Sequence, residues 1–381
     1  MTAQRTIEAA PEAHPVPSSA SGDRVSNRDL YCGQGYFDAE MEALAGSAWQ
    51  FVCTLDDLAN ANDWVRRRVF GVDIFVQNFV GTLRGYQNVC QHRGFPLRRE
   101  ARGNGPVQCQ FHGWAYHPNG KPVGIPRNKE LFCLSREQQA ERALPEIRVA
   151  TVGQFVFVAL RPSVPPIEDY LGRYGPLLQA VSAGMRTMRD RWSGVSKANW
   201  KLCFEVTLDD YHVQFVHSTT LGAEAVPIGK LLYGREGYHS HMFGRRDDDW
   251  QFPGFWENVA AGKFDYSGYK IHQLFPNLLV VTSFKMVLIT VFSPLGPNST
   301  EVFDLMFDLK ANDVDQEWWD HIIPAHRKVS AEDRDVSEAQ QEVIGQFERP
   351  PLFGKMEERV AWFHESYEQL VGAPARQLIA G

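Results

Sequence analysis

The hydrophobic and polar positions of residues 46–160 fall into short apolar runs separated by glycine-bearing turns. "WVRRRVFGVDIFVQNFVGTLRGYQNVC" has β-branched and aromatic residues in strand-length pieces, and "VATVGQFVFVAL" reads as a further hairpin. "RPSVPPIEDY" follows, and its three prolines mark a boundary. Beyond it the pattern mixes. "NWKLCFEVTLDDYHVQFVH" reads as a helix, and "YKIHQLFPNLLVVTSFKMVLITVFSPLGPNSTEVFDLMFDLKA" as a run of antiparallel strands with "GPNS" as one turn. From Asp313 to Phe347 the period is helical again, interrupted at Pro324. The expected class is α+β: an all-β domain over 31–162, then a domain over 163–381 with an antiparallel β-sheet flanked by helices. Residues 31–45 have the alternative of packing on the second domain, and residues 1–30 read as a mobile tail.

Composition narrows the class. The 381 residues are 44% hydrophobic and 22% charged, enough for a large core and two domains. A net charge of −7 without a basic block argues against a general nucleic-acid binder. Six cysteines, Cys32, Cys53, Cys90, Cys109, Cys133 and Cys203, are scattered too widely for a secreted disulfide framework. The first residues lack an apolar stretch and carry Glu8 and Glu12, so no signal peptide is expected and the cytoplasm is the expected location. "NLLVVTSFKMVLITVF" is interrupted by Lys285 and reads as strands, not as a membrane span.

Candidate chemistry begins at "NVCQHRGFPLRREARGNGPVQCQFHGWAY". Cys90-x-His92 is followed, sixteen residues on, by Cys109-x-x-His112. In extended backbone, residues two apart point the same way, so Cys90 and His92 can present both donors to one centre, and Cys109 with His112 forms a second short-loop pair. Gly94 and Gly113 let backbone N–H groups approach an anionic centre. A structural zinc site usually pairs Cys with Cys and His with His. Two mixed pairs instead suit a [2Fe–2S] cluster with two Cys on one iron and two His on the other, each loop giving one ligand to each iron.

A second constellation lies in "FEVTLDDYHVQFVH". His212 and His217 are five apart, which on a regular helix turns their rings about 140° from each other. A π-bulge, or a helix that ends between them, is needed to bring them together. Asp209, three before His212, shares its helix face and can orient the imidazole. Asp210 points elsewhere and suits a solvated acid. A carboxylate must come from farther along. In "SAEDRDVSEAQQEVIGQF", Val336, Val343 and Phe347 form an apolar stripe, and Glu332 and Asp333 both project near its upstream end. Ser330 with Asp333 also resembles a helix-capping box, and periodicity does not separate Glu332 from Asp333. Histidines 239, 241, 272, 321, 326 and 364 have no such spacing partners and read as structural or surface residues.

These motifs together resemble the α (catalytic) subunits of the Rieske non-haem iron oxygenases, from about residue 30 onward. The matching positions are Cys90, His92, Cys109 and His112, then Asn199-Trp200-Lys201, Glu205, Asp209-x-Tyr211-His212 and His217, with Val206 where the family often has Asn. The resemblance assigns the carboxylate to Asp333, giving a mononuclear Fe(II) held by His212, His217 and Asp333 beside a Rieske [2Fe–2S] cluster. Where the cytochrome bc type of Rieske protein has a disulfide between its loops, this chain has Phe95 and Phe111, and Trp114 replaces a serine that donates to the cluster. Fewer donors imply a potential near the low end of about −150 to +300 mV. The implied activity is O2-dependent hydroxylation of an aromatic or related small organic substrate. The alternative is an O- or N-demethylating monooxygenase, and a remoter one an electron-transfer protein. The implied partner is a reductase, alone or with a ferredoxin, that carries electrons from NAD(P)H, since the chain has no dinucleotide fingerprint of its own. The implied assembly is a head-to-tail α3 trimer, or α3β3, with Asp209 linking His212 to His112 of the partner subunit. Arg245, Arg246 and Lys285 are the cations available to a substrate carboxylate, although surface ion pairs are their simpler use.

Overall fold

The computed structural model describes residues 5–6, 14–15, 25–221, 230–244, 254–311 and 314–380. Arg245, Arg246 and Asp313 lie outside them, as does most of the expected tail. The chain divides into two compact units. One is Ala48–Pro165, and the other comprises the residues up to Ser47 and from Pro166 onward.

The second unit therefore includes α1 (Asn27–Cys32) and α2 (Gln34–Ser47). Of the two placements expected for residues 31–45 this is the latter, packing on the second domain, and α1 begins at Asn27, inside the expected tail. The cause is charge. Glu40 on α2 is fully buried and meets the equally buried Lys201 at 2.6 Å. A buried carboxylate needs such a partner, and this one ties α2 to the second unit. Ser26 caps α1 by accepting from Asp29 N.

The first unit is built on an antiparallel sheet. Its strands are β1 (Gln50–Thr54), β2 (Asp63–Val69), β3 (Val72–Phe79), β4 (Thr82–Gln87), β5 (Arg102–Asn104), β8 (Glu146–Val152) and β9 (Phe155–Ala159). Their order is β1-β9-β8-β4-β3-β2-β5. A separate small ribbon pairs β6 (Ala115–Tyr116) with β7 (Pro122–Gly124). The two Cys/His loops lie between β4 and β5 and between β5 and β6.

The second unit holds an antiparallel sheet of β10 (Met185–Ser196), β11 (Leu231–Glu236), β12 (His239–Gly244), β13 (Tyr269–Leu274), β14 (Leu278–Thr282), β15 (Met286–Gly296) and β16 (Ser299–Leu309). The sequential hairpins run β11 to β16, β10 closes against β16, and Arg5–Thr6 adds an edge strand beside β11. The stretch 200–217 is not one helix. It is α3 (Trp200–Glu205), a tight turn over Val206–Leu208, an extended Asp209 (φ −92°, ψ 110°) and a single turn, α4 (Val213–Val216). Asp209 Oδ1 accepts from the backbone N–H groups of Tyr211 (2.6 Å) and His212 (3.3 Å). That competes with the helical ladder and ends it.

A 28-residue helix, α5 (Gln316–Val343), crosses Pro324 without a break. Pro324 is exposed, and so is Asp320, whose carbonyl has no N–H at Pro324 to accept from. Asp315 caps this helix through Trp318 N, so Ser330 and Asp333 are interior positions and not a cap. The expected apolar stripe does not enter a core, since Val343 is 55% and Phe347 43% exposed. Among the described residues, no helix is long and apolar enough to cross a membrane.

Candidate metal centres

The two Cys/His loops have the same local construction. Cys90 N donates to Phe95 O and Gly94 N to Cys90 O; Cys109 N donates to Trp114 O and Gly113 N to Cys109 O. Gly94 (φ +75°) and Gly113 (φ +72°) take the left-handed turn that folds each loop back. The cysteines point inward and are 2% exposed, side by side with a contact between the thiols. The imidazoles lie outward and face each other, Nδ1 to Nδ1 at 3.2 Å, with His112 exposed. Burial raises the Cys90 thiol pKa, and the neighbouring Cys109 adds to the effect. Burial, then the neighbouring His112, Arg93 and Arg142, lowers His92.

Four ligands of one zinc must converge on a point. Among the described residues, the only group of three or more such donors within 4.8 Å of one another is His212, His217 and Asp333. A thiol pair and an imidazole pair that stay apart fit the two ends of a [2Fe–2S] cluster. Phe95 and Phe111 pack ring to ring at 5.4 Å, and Trp114 stacks on His92 at 5.0 Å. Sequence reasoning missed Tyr116. Its hydroxyl lies 3.2 Å from Cys90 Sγ and accepts from Gln91 N at 3.0 Å, so the backbone N–H leaves the phenolic proton for sulfur. The signal was present in "HGWAY", as a polar atom in an apolar run that needs a partner.

In the second unit, His217 ends α4, and that helix end turns its ring toward His212. The two Nε2 atoms are 3.2 Å apart. Asp333 Oδ1 lies 3.3 Å from His212 Nε2 and 2.9 Å from His217 Nε2. Ligands at about 2.1 Å on adjacent octahedral positions are separated by about 3 Å, so these edges fit one face around a single metal. Asp333 Oδ1 is buried and makes no hydrogen bond of good geometry, as expected of an atom facing a cation site. Burial lowers the His212 pKa, but the contacts with Asp209 and Asp333 prevail and push it up to about 10. His217 is raised in the same way against burial, by Asp333 and Glu332. The carboxylates make this a strong cation site.

Asp209 Oδ2 stands 3.6 Å from His212 Nδ1, an electrostatic contact too long for a closed hydrogen bond. It is reached through the turn at Asp209 and not along a helix face. Glu332 does not join the Nε2 cluster. Its Oε2 lies 2.7 Å from the other nitrogen of His217, Nδ1. Asp210 is no solvated acid: its carboxylate accepts from Tyr233 Oη (2.8 Å) and from the fully buried Arg359 (2.9 Å). Val206 is half-buried in the turn after α3, and Glu205 accepts from Tyr31 Oη at 3.2 Å. Lys285 lies over the Trp318 ring at 4.8 Å. His239, His241 and His272 are buried in β12 and β13, where His239 receives Phe275 N and contacts Tyr170 O.

Residues 48–136 match the family described as "Rieske [2Fe-2S] domain", and residues 185–373 that described as "Ring hydroxylating alpha subunit (catalytic domain)". Among curated relatives, the large subunit of anthranilate 1,2-dioxygenase from Acinetobacter baylyi is 31% identical over 50% of this chain, and the match spans 42% of that protein. The large oxygenase component of naphthalene 1,2-dioxygenase from Pseudomonas aeruginosa is 29% identical over 73% of this chain and 71% of its own. The oxygenase subunit of carnitine monooxygenase from Escherichia coli K12 is 27% identical over 60% of this chain and 63% of its own. The fold is shared with a quaternary ammonium Rieske monooxygenase crystallised with L-carnitine (TM-score 0.76, 19% identity, 95% of this chain and 100% of that one). It is also shared with naphthalene 1,2-dioxygenase with indole bound (TM-score 0.75, 20% identity, 92% and 94%). Fold and donor sets define a Rieske iron–sulfur domain joined to a mononuclear-iron catalytic domain. The chain belongs to the Rieske non-haem iron oxygenases, in their ring-hydroxylating α-subunit family.

Proposed function

We propose that this chain is the terminal oxygenase component of a multicomponent system. It hydroxylates an aromatic or related small organic molecule with O2 and electrons from a separate NAD(P)H-dependent reductase or ferredoxin. The observation that carries this reading is the convergence of His212 Nε2, His217 Nε2 and Asp333 Oδ1 in a chain that also has the Rieske donor set. Cys90, Cys109, His92 and His112 would hold the cluster through sulfur and Nδ1, leaving the outward Nε2 of His112 free. His212, His217 and Asp333 would hold a single Fe(II), with its other positions open. When bound, the cluster supplies electrons one at a time and the mononuclear iron supplies O2 activation.

Asp209 keeps the His212 ring oriented through Oδ2 and fixes the chain turn through Oδ1. In a head-to-tail α3 ring, or α3β3 with a second subunit, the same carboxylate accepts from His112 of the partner subunit, a short route between the two centres. Such an assembly, acting with diffusible electron donors, belongs in the cytoplasm. A second reading, removal of an N- or O-methyl group by monooxygenation, draws on the carnitine monooxygenase relative.

The test is direct. The purified protein should be red-brown with about three irons per chain. With a compatible reductase, it should consume NADH faster in the presence of its substrate. Labelled O2 then separates the readings, since two labelled atoms enter a dioxygenation product and one accompanies demethylation. Two irons per chain with no substrate-dependent NADH use would leave only an electron-transfer protein.

A further inference from the structure

Glu332 and Asp333 are consecutive on α5, yet their carboxylates reach opposite nitrogens of one ring. Neighbouring residues on a helix diverge by about 100°. Asp333 is short and meets His217 Nε2 at 2.9 Å, whereas Glu332, one methylene longer, reaches round to Nδ1 at 2.7 Å. The same Glu332 oxygen, Oε2, also accepts from Thr220 Oγ1 at 2.7 Å. Thr220 lies three residues beyond His217, and its backbone N–H donates to His217 O at 3.1 Å. The turn that follows the imidazole thus grips the acid that orients the imidazole.

We propose that Glu332 is a positioning residue, locked by Thr220, that prepares His217 as a ligand and is itself kept from becoming one. This rests on the reading of His212, His217 and Asp333 as a metal site. Accepting the Nδ1 proton fixes the tautomer that leaves the Nε2 lone pair free, and the negative charge makes that nitrogen a stronger donor. Engagement of Oε2 by two donors holds the second carboxylate away from the cluster of Nε2 atoms and Asp333 Oδ1. One protein carboxylate then serves the metal, and the remaining positions stay open for small molecules. The adjacent acids, indistinguishable by helical periodicity, acquire separate roles from the length of their side chains and from Thr220.

The experiment uses the full chain with its cluster intact and the mononuclear metal removed. Co(II) alone is titrated in against a competing chelator, and its visible d–d bands are recorded. Glu332→Gln and Thr220→Val should each weaken Co(II) binding, by about 10–100-fold for Glu332→Gln. Both should alter the d–d bands and leave the cluster absorption unchanged. Thr220→Val removes no ionisable group, so it tests the lock without disturbing local charge. Wild-type affinity and an unaltered spectrum in both variants would overturn the proposal. Failure of the wild type to take up Co(II) would overturn the metal-site reading beneath it.

Discussion

At the scale of single residues, chemistry depends on which atom a polar group faces. Tyr116 is a donor to the Cys90 sulfur, present although Trp114 stands where the cytochrome bc type has a donating serine. A hydrogen bond to sulfur stabilises the more negative, reduced cluster more than the oxidised one. Tyr116→Phe should therefore lower the reduction potential, on the order of 50 mV for a bond worth about 1 kcal/mol; protein-film voltammetry measures it, and an unchanged potential would remove the bond from the account. The two adjacent aspartates give a second contrast. Asp209→Asn should retain the fold and a reducible cluster but form almost no product, because the amide cannot accept from both imidazoles. Asp210→Asn should cost about 3–5 kcal/mol of stability, since it strips the counter-charge from buried Arg359. Chemical denaturation and single-turnover reoxidation separate the two. The pairing of Cys90 with Cys109 and of His92 with His112 was legible because the two loops repeat one short spacing. Asp210 was not, because its partner Arg359 lies 149 residues away and no local pattern encodes that pairing.

At the scale of elements, the information lay in where a helix stops. Hydrophobic period suggests one helix through 200–217, and on such a helix His212 and His217 diverge. The side chain of Asp209 ends it, and the short α4 finishes at His217. The strands were legible from alternation and glycine turns, including the hairpin of β15 and β16. The uninterrupted α5 was not, since an exposed proline costs a helix less than a buried one. The junction of α4 with α5 also has a titration signature. In the metal-free protein His212 is raised from 6.5 to about 10. A raised pKa adds stability that is full below the ordinary value and is lost as pH climbs through the raised one. The gap in thermal midpoint between metal-free wild type and His212→Ala should thus be widest below about pH 6.5 and close towards pH 10. A gap that widens with pH would contradict this sign.

At the scale of the whole molecule, the proposed ring can be tested by mixing. A Cys109→Ser chain should lack a working cluster and a His217→Ala chain a working mononuclear site, so each alone should be inactive. If electrons cross between subunits, co-expressed chains should form mixed rings in which an intact cluster neighbours an intact iron site. Product formation should return to a measurable fraction of wild type, with about one iron lost from each His217→Ala chain. Inactive mixtures would place electron transfer within a single chain and deprive Asp209 of its bridging role. None of this was visible in local sequence pattern, because periodicity reports on faces and turns and says nothing of which copy a face meets.

The packed rings of Phe95 and Phe111 have a further consequence, for how the cluster is built and repaired. A ring pair of this kind is worth about 0.5–1.5 kcal/mol beyond its buried area, against about 2–4 kcal/mol for a disulfide. The loops are therefore clasped by a contact that opens and recloses without any redox partner. Thiol reductants, which sever a disulfide clasp, should leave the rate of cluster loss unchanged. Apo chains should take up iron and sulfide under the same reducing conditions in which the cluster has to work.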